Sequence, residues 1–384
     1  MPGLSSASSA LRRAHVALAV TFVIFGTLDG TWAARLPALK QRLGLDSGKL
    51  GLVVFLVSLT ATLLLPVAGL LAARRGSRMP TALGLSLAAV GISGAAFAPS
   101  FATVVPAACV IGAGFGIADV AANAHGVALE EGIGRPILSV LHGMWSFGLL
   151  AGSAIAAGAA AASISPRWQF PVVCGVALVF VAVLVPRLLP GTAADVDSAH
   201  FALPRGALAL PAFLTFCALF VEFAAINWTA VFLTGPVHAS AAVAAAGLVV
   251  YAIAMAFARL AGDRLLLHWG IGRLAGRSGA LTCAGMALAL ATRSAVPALV
   301  GFALVGAGCA AIVPALFRVG GSVPGVASGA GIASVATAGY AGALVNGPVI
   351  GFLARSIGLT GALSLVGVAA AIIAVLGPRL GSGA

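Results

Sequence analysis

The chain has 384 residues, 61% hydrophobic and 8% charged, and 21 Lys+Arg against 9 Asp+Glu give a formal charge of +12. A soluble domain carries roughly a quarter of its residues as charges, so a soluble globular enzyme is excluded. Disorder is excluded too, because disordered chains are poor in apolar residues. A membrane protein is left, and the basic excess calls for a membrane explanation before a nucleic-acid one.

A helix needs about 20 apolar residues to cross the hydrocarbon core. In chain order this predicts twelve spans, near 14–37, 50–73, 80–98, 101–128, 138–162, 170–189, 207–233, 240–262, 276–292, 296–318, 327–352 and 360–377. The polar start, Arg12, Arg13 and a long apolar stretch read as an uncleaved first span. Chemically explicit breaks separate the spans, among them Arg74 to Arg78, Pro99-Ser100, Glu130 to Pro136 and Ser165 to Arg167. Ten-residue alternation is missing, which disfavours a β-barrel. Cys109, Cys174, Cys217, Cys283 and Cys309 lie singly in apolar runs and read as small hydrophobes, with no disulfide or metal spacing.

With the N-terminus inside, the inner segments hold 13 basic residues and the outer ones 6, which places both termini in the cytoplasm. Arg exceeds Lys 19 to 2 in an Ala/Gly-rich chain, pointing to a bacterial inner-membrane protein. The chain also repeats itself. Trp32 and Trp228 differ by 196, Gly76 and Gly270 by 194, and Gly112/Gly114 and Gly306/Gly308 by 194. The polar linker 190–206 then divides two six-helix halves, 1–189 and 207–384. A parallel repeat of six spans is the plan of the major facilitator fold, with its site at the midplane between halves.

Particular residues carry the resemblance further. Gly69 to Arg78 (GLLAARRGSR) is similar to the superfamily's loop 2–3 motif, GxLaDrxGrk, with Ala73 where an Asp is usual. Asp119 to Val127 (DVAANAHGV), Gly134 to Pro136, Trp32 to Ala38 (WAARLPA) and Gly262 to Leu265 (GDRL) resemble bacterial permeases of the YbjJ type. More distantly, Asp119 with Asn123, and His142 to Gly148 (HGMWSFG), resemble the proton-coupled fucose permease. Trp145 stands where that permease has a sugar-contacting Asn. The resemblance implies an all-α integral membrane transporter of twelve transmembrane helices.

The intramembrane polar residues are the candidate site. A carboxylate in the bilayer core is costly and is expected to face the bundle interior with a task. On span 4, Gly112, Gly116, Asp119, Asn123 and Gly126 form one helical stripe. It reads as a proton-coupling site at Asp119 or as a tight helix contact glued by the acid. Spans 4 and 5 form a hairpin turning near residue 133, so His142, Trp145 and Ser146 fall level with the Asp119/Asn123 pair. His142 is then a substrate contact, a proton shuttle or structural glue. Asp29 in span 1 and Glu222 in span 7 occupy comparable places in the two halves and are further proton-coupling candidates.

Trp32, Trp145 and Trp228 offer ring faces to a ligand or anchor spans at the interface. Asn227 and Tyr340 add substrate contacts, whereas Asn346-Gly347-Pro348 marks a kink. Arg259 and Asp263, four apart, are expected to form a salt bridge, either structural or part of a gate with Arg74 and Arg78. No metal site, cofactor, nucleotide motif or nucleophile–base pair emerges, so the chain is not read as an enzyme.

These features predict a monomeric secondary active transporter working by alternating access. Protons drive a small neutral sugar-like or weakly cationic solute across the bilayer, and no nucleic acid takes part. The alternatives are a proton-antiport exporter of drugs or metabolites, an uncoupled facilitator, and a non-transporting receptor or scaffold on this fold.

Overall fold

A bilayer leaves no water to satisfy backbone N–H and C=O groups, so apolar spans close their hydrogen bonds internally as helices. The structure, a computed structural model, describes residues 2–134, 137–190, 205–326 and 328–381. Most of the linker 190–206, Arg135 and the side chains of Ala73 and Asp263 lie outside the described residues. Among the described residues every regular element is helical. The α-helices are α1 (Pro2–Ala34), α2 (Leu36–Arg42), α3 (Ser47–Arg75), α4 (Arg78–Phe97), α5 (Phe101–Ile133) and α6 (Leu138–Ala161). They continue as α7 (Pro166–Leu184), α8 (Ala209–Thr234), α9 (Ala241–Ala291), α10 (Ala295–Cys309), α11 (Ile312–Gly321) and α12 (Ser328–Leu376).

Eleven stretches among the described residues are long and apolar enough to cross a membrane. The last, Gly331–Leu380, has 50 residues, about 75 Å of helix against a core of about 30 Å. It bends at Gly358, whose φ of 75° is one that favours glycine. The ninth stretch, Arg264–Ala291, begins well before the expected 276. Helix α9 runs through the basic loop and breaks only at Gly270, with φ 72° and ψ 164°. Span 10 is likewise divided, at residues 310–311 between α10 and α11.

The polar breaks cap the helices that follow them. The Asp46 carboxylate accepts a hydrogen bond from the Lys49 N–H at 2.8 Å, opening α3. Glu130 Oε1 accepts from the backbone N–H groups of Ile137 (2.6 Å) and Leu138 (2.8 Å), satisfying orphan donors at the start of α6. Gly134 ends α5 in the left-handed conformation, its N–H donating to the Glu130 carbonyl.

Two compact units form, one of Met1–Trp32 with Leu56–Ser198 and one of Ala33–Phe55 with Ala199–Ala384. Segment 33–55 joins the second unit through glycines: a Cβ on Gly51 would lie 2.4 Å from the Gly347 carbonyl oxygen. Each unit is held by helices brought to backbone contact, the packing favoured where lipid removes the hydrophobic drive between helices.

The junctions of one unit recur in the other at a constant offset. A Cβ at Gly112 would meet Val57 O at 2.1 Å, and one at Gly306 would meet Tyr251 O at 2.3 Å. Both members of that pair of contacts are displaced by 194. Gly114 abuts Gly84 and Ala88, while Gly308 abuts Ser278 and Thr282, again 194 apart throughout. Gly91 against Ala107 and Ile111 becomes Gly285 against Gly301 and Val305, with the same displacement. Gly76 and Gly270 share a left-handed φ, 73° and 72°. The internal repeat seen as a few sequence landmarks is thus a repeat of helix–helix contacts.

Candidate functional site

On α5 the stripe divides by contact. Gly112 and Gly116 face α3, where added Cβ atoms would lie 2.1 Å from Val57 O and 2.4 Å from Ala61 O. Gly126 faces α6, with the Leu138 side chain 2.7 Å from an added Cβ. Among the described residues Asp119 bonds within its own helix. Its Oδ1 accepts from Asn123 Nδ2 of the same helix at 3.0 Å, and Asn123 also donates to the Asp119 carbonyl at 2.9 Å. Both side chains are half-buried, and Asp119 is in no ion pair among the described residues. The contacts to neighbouring helices are thus made by the glycine face.

Helix α1 packs on α6, with Gly26 against Trp145 and Leu149 and Gly152 against Thr27 and Thr31, so the two run parallel. Gly126 of α5 lies against Leu138 and Leu141 of α6, so α6 runs back along α5, and α1 and α5 run antiparallel. Phe25 and Phe115 meet at 5.5 Å between ring centroids. Asp29 lies one turn after Phe25 and Asp119 one turn after Phe115, so the two acids stand on opposite sides of this ring pair. Their axial separation is about 11 Å, two helical turns. Asp29 is half-buried and in no ion pair among the described residues. His142 is exposed and sets its ring edge-on against Phe22, at 5.7 Å. Trp145 is half-buried on the same helix.

The second unit treats its acid differently. Glu222 on α8 is buried, and its Oε1 accepts from Arg259 Nη2 of α9 at 3.2 Å. Arg259 Nε donates to the Ala310 carbonyl at 3.3 Å, at the break between α10 and α11. The spacing along α9 predicts Asp263 as a partner of Arg259, and the Asp263 side chain lies outside the described residues; among the described residues Arg259 pairs with Glu222. An i,i+4 spacing sees only one helix, whereas this guanidinium reaches across three. The repeat sharpens the contrast. On α1 and α8 the offset is 193: Val23, against Gly148, corresponds to Phe216, against Gly342, and Asp29 and Glu222 also differ by 193. The repeat mate of Arg259, 194 earlier, is Leu65. The repeat mate of Asp119 is Val313. One unit therefore pairs its acid, while the other carries two acids and no cation at the equivalent place.

The remaining candidates separate. Trp32 is buried with its ring 6.4 Å from Phe170, so it is a packed side chain rather than an interfacial anchor. Trp228 is completely buried, and its indole N–H has no hydrogen-bond partner among the described residues. Asn227 is buried and donates to the Phe223 carbonyl at 2.9 Å, while Tyr340 is exposed. In the loop 2–3 motif Arg74 is exposed and Arg78 half-buried. Sequence reasoning passes over His125 as a site. It is fully buried, bonds Ser77 Oγ through Nδ1 at 2.8 Å, and accepts the Leu189 N–H at Nε2, 3.3 Å. The accepting Nε2 fixes the tautomer with the proton on Nδ1, donated to Ser77. This His ties the basic loop to the end of its unit; the signal was a His inside an apolar run, two residues past Asn123.

The sequence pattern of the Major Facilitator Superfamily matches residues 17–319. The chain belongs to that superfamily. An uncharacterised MFS-type transporter of Yersinia pestis is 31% identical over 354 residues, covering 92% of each chain. The membrane protein MosC of Rhizobium meliloti is 30% identical over 93% of this chain and 88% of its own. Among solved structures, a D-xylose–proton symporter aligns with a TM-score of 0.77 at 14% identity over 95% of this chain and 96% of its own. A mutant form of the nucleoside transporter NupG aligns with a TM-score of 0.77 at 14% identity, over 96% of this chain and 100% of its own. The protein is a multi-pass membrane protein of a transporter family, not an enzyme.

Proposed function

We propose that the protein is a proton-coupled secondary transporter, with Asp119 as the principal proton-loading group. The observation that carries this is the half-buried Asp119 carboxylate, hydrogen-bonded to Asn123 and in no ion pair among the described residues. An unpaired intramembrane carboxylate has a strong cost when charged, so it takes up and releases a proton as its hydration changes. A proton crossing the full potential supplies about 2.3 kcal/mol per 100 mV, sufficient to drive solute uphill. Asp29 is a second proton site on the same unit, and Glu222 with Arg259 forms a charge-neutral strut beside the α10–α11 break.

The solute is small, neutral and sugar-like or weakly cationic, met by Asn123, His142 and Trp145, with Asn227 and Tyr340 as further contacts. The two carboxylates disfavour an anion, and the structural neighbours named for D-xylose and for nucleosides support a hydroxylated ligand. Two six-helix halves, 1–189 and 207–384 with linker 190–206, rock about that site in the bacterial inner membrane, termini in the cytoplasm. Arg74, Arg78, Arg259 and Asp263 are gate positions, and the working form is a monomer.

The test is uptake in proteoliposomes. A panel of labelled sugars and amines is screened under an inward proton gradient, and the solute found is retested with Asp119→Asn. The variant is expected to keep solute exchange and lose accumulation. Full gradient-driven accumulation by Asp119→Asn overturns the assignment.

A further inference from the structure

We propose that Arg12, Arg13 and Arg187 form a binding site for the phosphate headgroup of an anionic phospholipid. Arg12, Arg13 and Arg187 border one open, largely apolar groove of the first unit, of about 350 Å³, within the range of roughly 300–1,000 Å³ of small-molecule sites. The rest of its wall is apolar: Val16, Ala17 and Leu184. No carboxylate lines the groove, and none of the three arginines is in an ion pair among the described residues. Three cationic residues around one apolar groove call for an anion with an apolar part.

The layering says what kind. Arg12 and Arg13 stand at the beginning of the first candidate span and Arg187 at the end of the sixth, Pro166–Arg187, so all three lie at one membrane face. Val16 is one turn deeper than Arg12 along α1, and Leu184 one turn deeper than Arg187. Cations thus sit at headgroup level, with apolar side chains about 5 Å further into the core. Val16 is 59% exposed, presenting apolar surface beside the charges. A free inorganic anion uses the first layer only, whereas a phospholipid uses both. Arg187 is also held in place, one of its terminal nitrogens donating to the Val183 carbonyl at the end of α7. Its remaining donors suit the fork geometry with which guanidinium grips phosphate. Orientation by positive residues needs their charge alone; convergence on one layered groove is additional.

The full-length protein in uncharged detergent is titrated with phosphatidylglycerol, phosphatidylcholine and inorganic phosphate, reading lipid retention by native mass spectrometry and the unfolding temperature. Phosphatidylglycerol is expected to bind roughly tenfold or more tighter than phosphatidylcholine. Arg12→Gln/Arg13→Gln/Arg187→Gln removes that preference, while Arg273→Gln/Arg277→Gln, at another basic loop, keeps it. Should the triple variant not fold, Arg187→Gln alone decides, with an expected weakening of about fivefold. Unchanged affinity in the variants, equal binding of phosphatidylcholine, or the same thermal shift with inorganic phosphate alone overturns the lipid assignment.

Discussion

Asp119 and Glu222 show how neighbours set the work of an intramembrane acid. Glu222 faces a guanidinium at 3.2 Å, whereas Asp119 faces the amide of its own helix at 3.0 Å. Removing one member of a buried pair strands the other charge, costing roughly 3–5 kcal/mol, while replacing both is often neutral. Glu222→Leu is therefore expected to lower the unfolding temperature of purified protein markedly, and Glu222→Leu/Arg259→Leu to recover most of the loss. A double variant as unstable as the single one refutes the strut role. Asp29 tests the asymmetry between units from the other side. Leu65→Arg places a cation at the repeat mate of Arg259, and the variant is expected to reduce gradient-driven transport at least tenfold while the protein stays folded. Unchanged flux in Leu65→Arg vesicles removes Asp29 from the proton path.

Helix ends and helix junctions carry the stability that propensity alone does not. Glu130 satisfies two N–H groups at the start of α6, so Glu130→Ala is expected to destabilise by about 1 kcal/mol in thermal unfolding. The Asp46 carboxyl, outside the spans, is held below the usual carboxylate range, first by the Lys49 N–H and then by nearby Arg355 and Lys49 charges. A depressed folded-state pKa contributes stability above the ordinary value of about 4, lost as pH falls through the lower folded value. The stability gap between the natural protein and Asp46→Ala should therefore be present at neutral pH and close below about pH 4, by unfolding at several pH values. The glycine junctions are less forgiving. Gly112→Val would drive its side chain into the Val57 carbonyl, 2.1 Å from an added Cβ, and little folded protein is expected by size-exclusion chromatography.

At the scale of the whole molecule, charge placement predicts topology. In a variant lacking the five free cysteines, a cysteine at Lys40 should react with an impermeant maleimide from outside intact cells, and one at Arg75 should not. The reverse pattern inverts the assignment.

The membrane class, helical spans, internal repeat and chemical identity of the scarce intramembrane acids were legible in the amino-acid sequence. Composition and hydrophobic length depend on residue type, and the 194-residue landmarks need only counting. Partnership was not legible. Tertiary structure alone decided that Arg259 takes Glu222, two helices' length away in sequence, and that Trp32 and Trp228 are packed side chains. It also decided that His125 ties Ser77 to Leu189 and that Arg12, Arg13 and Arg187 border one groove. These contacts join residues from 37 to more than 170 positions apart, set by how helices lie against one another, which hydropathy does not encode. The scarcity of charge in the chain, 9 acids and 21 bases among 384 residues, fixed that each buried one would matter. Only packing determined which acid has an arginine at its side and which has just the amide of its own helix.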